Sequence, residues 1–455
     1  MRVLKFGGTS VGSVESLMNV KKIVEGLSEP AVVVVSALGG LTDKLIATAN
    51  LAASSSDFHQ EMDGIAERHR NIINSVVADD KKAEVFGIVN PLLAELSRIY
   101  EGIALLRDLP EKTLETIVSF GERMSAPIVA GMIKGARVHN SLEFIKTEKW
   151  FGKNIADTTL TEELIRKEFP ADDIKIEITG GFISTDRDSD EITNLGRGGS
   201  DYTAALIAAT LNSDYLDIWT DVDGFMTADP RIIPTARIID EMSFIESMEL
   251  CSFGAKVIYP PTIYPVFHKN IPIRILNTFN PSAPGTLISD HPKDIGLPVK
   301  GISAIRDTCL IVIHGKLTRN AAAINSRTYN SMARNGISVF LLAQHSDRDE
   351  FSFAVSAKDA REAIKVLNEE FAPELINSEL DFVSVIENKA TLAVVGENIR
   401  DDKVLLKNIF STLQDNNIPV DASSKGSSQT TLSFVIDSDK ANTAMSLIHS
   451  LIYSC

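Results

Sequence analysis

Short apolar runs and longer amphipathic stretches alternate along the first part of this chain. Arg2–Phe6 is a brief, mostly apolar run with the character of a strand. From Ser13 to Leu27, apolar residues fall at Val14, Leu17, Met18, Val20, Ile23, Val24 and Leu27, the spacing of a helix with one buried face. Gly26 is its stop signal. Ala31–Val35 is one alanine and four valines, which predicts a strand covered on both faces. Strand, helix and strand in this order form a βαβ unit and predict a parallel sheet.

Residues 43–135 carry a mainly helical pattern, with polar breaks near Ser54–Ser56 and Arg107–Pro110. Strand patterns return at Ile174–Ile178, Gly181–Ser184 and Tyr215–Thr220, with a helix pattern at Tyr202–Leu211 between the last two. Asn280–Pro298 is dense in Pro and Gly and marks a domain boundary. Beyond it the chain repeats itself. Asn335-Gly-Ile-Ser-Val339 recurs as Asn416-Asn-Ile-Pro-Val420, and Phe351-Ser-Phe-Ala-Val355 recurs as Leu432-Ser-Phe-Val-Ile436, both 81 positions on. Leu310–Ile313 falls on the largely apolar Thr391–Val394 by the same shift. Each unit has the order strand, helix, strand, strand, helix, which matches a ferredoxin-like module.

Composition narrows the classes of function. The net charge of −16 and pI near 5.0 argue against a nucleic-acid or anionic-membrane partner, because the summed field repels phosphate. An anionic ligand therefore has to be held by a local cluster of donors. Cys251, Cys309 and Cys455 are too few and too scattered for a disulfide framework or a zinc site. No apolar run approaches the length of a membrane span and no signal peptide opens the chain, so the expected setting is the cytoplasm.

Three turns could carry chemistry. Lys5 stands in the first strand just before Gly7-Gly8-Thr9-Ser10, where backbone N–H groups can come close to a ligand and the following helix points its positive end back at the loop. Neither a P-loop nor a dinucleotide fingerprint is present, and a plain strand-to-helix turn is the simpler alternative. Leu195-Gly-Arg-Gly-Gly-Ser-Asp201 adds the planar donor fork of Arg197, the exposed amides of Gly198, Gly199 and Ser200, and Asp201, which could cap the next helix or hold a cationic amine. Thr220, Asp221 and Asp223 follow a strand end, where open α/β sheets bind ligands, although an ordinary Asp-Gly turn is the alternative and the spacing excludes a calcium loop. Glu122 and Arg123 in Ser119–Ser125, and Lys256 in Ser252–Lys256, are smaller pieces of the same kind. Cations beside small-residue turns, with no serine elbow and no metal-ligand pattern, suit phosphoryl transfer, which needs positioning and charge neutralisation.

In combination and order, Lys5-Phe-Gly-Gly-Thr-Ser10, Val35-Ser-Ala37, Phe120-Gly-Glu122, Leu195–Asp201, Trp219-Thr-Asp221, Asp229-Pro-Arg231 and Phe253-Gly-Ala-Lys256 resemble the aspartate kinases of the amino-acid kinase superfamily. The resemblance implies an α/β fold: an amino-acid-kinase-type three-layer sandwich with a mainly parallel central sheet, followed by two ferredoxin-like βαββαβ (ACT) modules. It implies a catalytic domain over 1–285, a linker over 286–300, and modules over 301–385 and 386–455 whose strands could interleave. By the same resemblance Lys5 and Asp201 are catalytic, Asp201 fixing the substrate amine or ordering the lysine. Thr42, Glu122, Arg197, Gly198, Gly199 and Ser200 contact aspartate. Lys5, Gly7, Gly8, Ser36, Thr220, Asp221, Met226, Arg231 and Lys256 hold ATP, with Mg²⁺ carried on its phosphates rather than by protein ligands. Met226 stands where relatives often have tyrosine, and Tyr259 where a histidine before proline is usual.

The implied reaction transfers phosphoryl from ATP to the β-carboxylate of L-aspartate, at the head of lysine, threonine, methionine and isoleucine synthesis. That carboxylate is already ionised at pH 7, so no general base is needed. Asn320, Gln344 and Ser346 are the expected effector contacts. Phe340, where lysine-sensing relatives carry an acidic residue, and Gln344 tilt the expected effector toward threonine over lysine. The modules imply a homodimer or higher homo-oligomer. The kinase half and the linker Pro284–Ile302 look most like the kinase portion of fused aspartate kinase–homoserine dehydrogenases, and no dehydrogenase-like segment follows Cys455, so the chain is expected to be a stand-alone kinase or part of a fused one. A glutamate or acetylglutamate kinase, or a non-catalytic effector-binding homologue, are the alternative readings.

Overall fold

The structure is a computed structural model that describes residues 1–150, 152–170, 173–293, 298–315, 321–345, 350–397, 399, 401–425 and 430–453. The chain forms two compact units, Met1–Phe225 with Ile258–Pro292, and Met226–Val257 with residues 293 onward.

In the first unit the strand order is Thr286–Ser289, Ile273–Asn277, Tyr215–Thr220, Arg2–Phe6, Ala31–Val35, Ile176–Gly180, Arg137–His139. Every pairing from Ile273–Asn277 onward is parallel, and Thr286–Ser289 adds on antiparallel. The valine-rich strand explains the layers. Leu4, Phe6, Val33 and Val35 join one core with the helices Val14–Glu25, Leu41–Ala53, His59–Val76, Asp79–Leu106 and Glu111–Met132. Their neighbours Val3, Val32 and Val34 point to the opposite face and are equally buried. Helix Gly199–Leu211 packs against strands Arg2–Phe6, Ala31–Val35 and Tyr215–Thr220 there. Burial on both sides leaves no polar alternation in such strands. In a second, four-stranded sheet (Lys153–Ala156, Lys146–Trp150, Ile183–Asp186, Ile192–Asn194), only Ile183–Asp186 was foreshadowed, by the strand pattern at Gly181–Ser184.

Local signals place the helix ends well. Ser13 caps Val14–Glu25 in a reciprocal pair with Ser16. The long helical region breaks at the two expected places and also between Val76 and Asp79, where Val77 and Ala78 are extended. Pro91 and Pro127 sit inside helices rather than ending them.

In the second unit, six antiparallel strands run in the order Val339–His345, Glu350–Ser356, Gly301–Gly315, Leu380–Val395, Thr431–Asp437, Ala422–Lys425. The two central strands are long and shared. Gly301–Ile305 pairs with Thr391–Val395, whereas Thr308–Gly315 pairs with Leu380–Lys389, the register shifting between them. Each half-sheet is therefore a ferredoxin-like module that takes its fourth strand from the other half's central strand. Helices Ala321–Arg334 and Ala360–Glu370 cover Cys309, Ile311 and Ile313; helices Lys403–Asp415 and Ala441–Tyr453 cover Leu392 and Val394.

Two boundaries differ from the sequence reading. Thr286–Ser289 is a strand of the first unit, with Thr286 and Ile288 buried, and not the start of a linker. Met226–Val257 belongs to the second unit although it lies well before residue 285. Breaker residues mark where a chain turns, but they do not tell which core a returning segment joins.

Candidate functional site

Strands Arg2–Phe6 and Ala31–Val35 are parallel neighbours, paired in register from Arg2↔Ala31 to Phe6↔Val35, and both run into glycine turns at the same end of the sheet. The Ser36 N–H continues the ladder to Phe6 O at 3.1 Å. The turns touch. A methyl group on Gly39 would lie 2.8 Å from Gly8 O, and one on Gly12 would lie 3.0 Å from the same oxygen. Only residues without a side chain let the two loops approach this closely.

Helix Gly199–Leu211 brings its N-terminus to these turns from the other face. Gly198 is the N-cap at φ +70°, with no side-chain cap; the Gly199 N–H is taken by Gly196 O at 3.0 Å, and the helix start faces the turns beyond it. A side chain at Gly198 would run into Tyr259, 2.2 Å from its Cβ. Asp201, which could have capped this helix, does not do so. It lies in the first turn and reaches Lys5, whose Nζ is 2.6 Å from Asp201 Oδ1, each side chain 12% exposed. The contact is ionic rather than a well-directed hydrogen bond. Lys5 extends from the middle of the sheet, so its position is set by strands on both sides.

A concavity of about 350 Å³ collects Lys5, Gly8, Ser36, Thr42, Glu122, Arg197, Gly198, Gly199, Ser200 and Asp201. Arg197 is exposed, and among the described residues no ion pair engages its guanidinium. Glu122 lies at the floor. Its Oε1 accepts the Ala37 N–H at 3.0 Å, and its Oε2 has no partner. Burial pushes its carboxyl up to about 8, partly opposed by that N–H and by the Lys5 charge, so it is largely protonated at neutral pH.

Sequence reasoning passed over several lining residues. Gly39 and Gly40 repeat the strand-then-two-glycines pattern of Gly7-Gly8, and that repetition was the available signal. Phe182 carried no signal. It lines the same concavity in a left-handed conformation at φ 67°, its N–H held by Thr203 Oγ1 at 3.1 Å. Such backbone costs on the order of 1–3 kcal/mol and persists where the surroundings enforce it. Here Gly181 lies directly against Ser200, with no room for a Cβ.

The remaining predicted residues lie elsewhere. Gly7 is beside the concavity, its N–H on Trp219 O at 3.2 Å and its Cα side facing Lys5 Nζ. Thr220 and Asp221 end the strand next to Lys5 but do not line the concavity; Thr220 Oγ1 donates to Asp221 Oδ1 at 3.2 Å. Met226, Arg231 and Lys256 belong to the second unit. There Met226 bridges to Ile238, Arg231 is 87% exposed and paired with Asp229 at 2.7 Å, and Lys256 is exposed. Gln344 lies on strand Val339–His345, whereas Asn320 and Ser346 lie outside the described residues.

The arrangement combines a fixed ammonium, a free guanidinium, a helix N-terminus and close-packed glycine amides. It can hold a polyanion against a second anion. Among the described residues no group of three or more His, Cys, Asp or Glu side chains could hold a metal ion.

Comparison with known proteins gives the same direction. The model of the amino acid kinase family matches residues 1–277, and that of the ACT domain matches 311–371 and 392–451. The chain is 34% identical to the bifunctional aspartokinase/homoserine dehydrogenase of Haemophilus influenzae, over 100% of this chain and 57% of that protein. It is 28% identical to the chloroplastic aspartokinase 3 of Arabidopsis thaliana, over 99% of this chain and 81% of that one. Thus it spans little more than half the length of the bifunctional relative. Among solved structures it resembles E. coli aspartokinase III in complex with aspartate and ADP (R-state), with a TM-score of 0.85 and 26% identity over 100% of both chains. The lysine and aspartate complex of that enzyme (T-state) matches with a TM-score of 0.75, over 100% of this chain and 99% of that one.

Proposed function

The chain belongs to the amino acid kinase family, and from that membership we propose that it transfers the γ-phosphoryl group of ATP to the β-carboxylate of L-aspartate, giving 4-phospho-L-aspartate and ADP. The observation that carries this reading is the convergence of Lys5, Asp201, Arg197 and two glycine turns on one concavity beside a helix N-terminus. The aspartokinase relatives, and the aspartokinase III complex with aspartate and ADP, support the choice of substrates.

The chemistry follows from charge. The aspartate carboxylate oxygen forms a bond to the γ-phosphorus as the bond to the β–γ bridging oxygen breaks. The acceptor is ionised, so no proton has to be removed first. The difficulty is bringing two anions together, since like unit charges 4 Å apart repel by roughly 4 kcal/mol at an effective dielectric of 20. Lys5 meets the charge that builds on the transferring group. Gly7, Gly8 and Ser36 line the phosphates, and the helix start at Gly198, Gly199 and Ser200 adds its positive end, with the Gly199 N–H itself committed to Gly196 O. Arg197 grips the α-carboxylate, while Thr42 and Glu122 complete the aspartate subsite. Asp201 holds Lys5 in line. Thr220 and Asp221 add to the nucleotide site. Mg²⁺ carried on the ATP phosphates would neutralise part of their charge.

The repeated modules bind an amino-acid effector, in keeping with their ACT match and with the lysine complex of aspartokinase III. Threonine is favoured over lysine on the residues Phe340 and Gln344. The modules also pair chains, and the enzyme works in the cytoplasm; no helix among the described residues is long and apolar enough to cross a membrane. A coupled ADP-release assay offering aspartate, glutamate and acetylglutamate tests the central reading. ADP release that requires aspartate is the expected result. Turnover with another acceptor, or none with any, refutes it.

A further inference from the structure

Arg68 belongs to none of the motifs above and does not line the catalytic concavity, yet it touches both of the glycine turns that do. It lies on helix His59–Val76, and its Nη2 donates to Gly12 O at 2.9 Å and to Gly39 O at 2.8 Å. The two carbonyls come from different loops. Gly12 ends the turn that begins at Gly7, its loop closed by Val11 N–H on Gly7 O, and Gly39 ends the stretch that follows Ser36. The same loops also meet through Gly8 O against Gly39, with Gly12 Cα close by. One guanidinium nitrogen therefore joins the loops at the very place where a missing Cβ lets them touch.

We propose that Arg68 is a positioning residue for the glycine turns: a clamp outside the concavity that fixes the spacing of their amides around the nucleotide phosphates. The proposal rests on the phosphoryl-transfer reading above. Its physical basis is simple. Without Arg68, two carbonyls that converge on one nitrogen lose their shared donor, and contact of the loops rests on packing. Both carbonyls bind a charged donor, the stronger class of hydrogen bond. The half-buried guanidinium is partly desolvated, which disfavours its charge and lowers its pKa, so each contact acts in a medium poorer in water than the surface. The loops carry donors whose value depends on placement, and displacement of such groups by about 1 Å can cost roughly 10²-fold in rate. Arg68 itself touches none of the groups assigned to aspartate or to ATP, so its loss acts through the loops: Gly39 lies between Ala37, whose N–H holds Glu122, and Thr42.

The structure also offers a test that separates positioning from mere support. Arg68 lines an open cavity of about 420 Å³ on the outer side of the loops, together with Gly12, Ser13, Gly64 and Asn71. A small guanidinium compound can enter there once the side chain is shortened. In the full chain, Arg68→Ala should lower kcat roughly 10²-fold. Ethylguanidinium should restore part of kcat, and ethylammonium should not. Arg68→Met keeps the aliphatic bulk and a good helix former, so it reads the same loss should the alanine variant fold poorly. ADP affinity by calorimetry, expected to weaken about tenfold in either variant, gives a readout that does not depend on the acceptor. Wild-type kcat and ADP affinity in a folded variant would overturn the proposal, as would a loss that tracks lowered Tm and shows no guanidinium rescue. Absence of aspartate-dependent turnover in the wild type would instead refute the assigned reaction, with ADP affinity still deciding the clamp.

Discussion

Glu122 should make this protein lose stability as the pH rises through neutrality, and Glu122→Gln should remove that loss. The carboxyl is fully enclosed and held up to about 8 from an ordinary value of 4.5. The folded state thus binds its proton more tightly than the unfolded chain does. Its contribution to stability is complete below about pH 4.5 and is lost progressively as pH climbs to about 8. Within that window the loss is about 1.4 kcal/mol per pH unit. Between pH 6 and pH 8 it amounts to roughly 2–3 kcal/mol, or about 5–10 °C in Tm for a cooperative unit of this size. Glutamine has the same shape, stays neutral, and can still accept the Ala37 N–H. The other titrating groups are common to both proteins and cancel in the difference. Thermal unfolding of wild type and Glu122→Gln, without ligand, at half-unit steps from pH 5.5 to 8.5 provides the measurement. The variant should gain steadily on the wild type as pH rises. A Tm difference that stays flat over that range would mean that Glu122 is not the buried, protonated acid described above. The same proton offers a test of the proposed aspartate subsite: an ammonium docked beside Glu122 would favour its ionised form, and aspartate binding at pH 7 should then release protons, measurable as a buffer-dependent binding enthalpy.

Three further outcomes follow. Lys5→Ala should cut kcat by about 10²-fold or more with the fold unchanged, the scale of one preorganised donor; near-wild-type turnover in the purified variant would remove Lys5 from its role. Arg274→Ala should cost about 3–5 kcal/mol in denaturant unfolding, because Asp217, 1% exposed, loses its two-pronged partner at 2.6–2.7 Å and keeps only Arg2 at 3.9 Å. Gly39→Ala should lower turnover at least about tenfold, since its Cβ would lie 2.8 Å from Gly8 O and the loops must part; unchanged kinetics would show that their close contact is incidental.

The local part of this structure was legible in the residues. Ala31–Val35 had to be a doubly covered strand because five apolar residues in a row leave no face for water, and it is one. Ser13 had to start a helix, and the repeat of 81 positions reappears in strands Glu350–Ser356 and Thr431–Asp437. Such signals depend on neighbours within a few residues, and a linear pattern records those.

Non-local choices were not legible. Thr286–Ser289 is a strand because Ile273–Asn277 offers it an open edge, and the exchange between Gly301–Gly315 and Leu380–Val395 depends on where one register stops and another begins. By itself the sequence determined which turns lack side chains and where the cations stand. Tertiary structure alone decided which of these groups meet. The pairing of Lys5 with Asp201, the raised pKa of Glu122, and the reach of Arg68 across two loops arise between residues far apart in the chain. The reason is physical. Propensity and capping act over one or two turns of backbone, whereas desolvation and charge pairing depend on what packs around a group, which exists only once the chain has closed on itself.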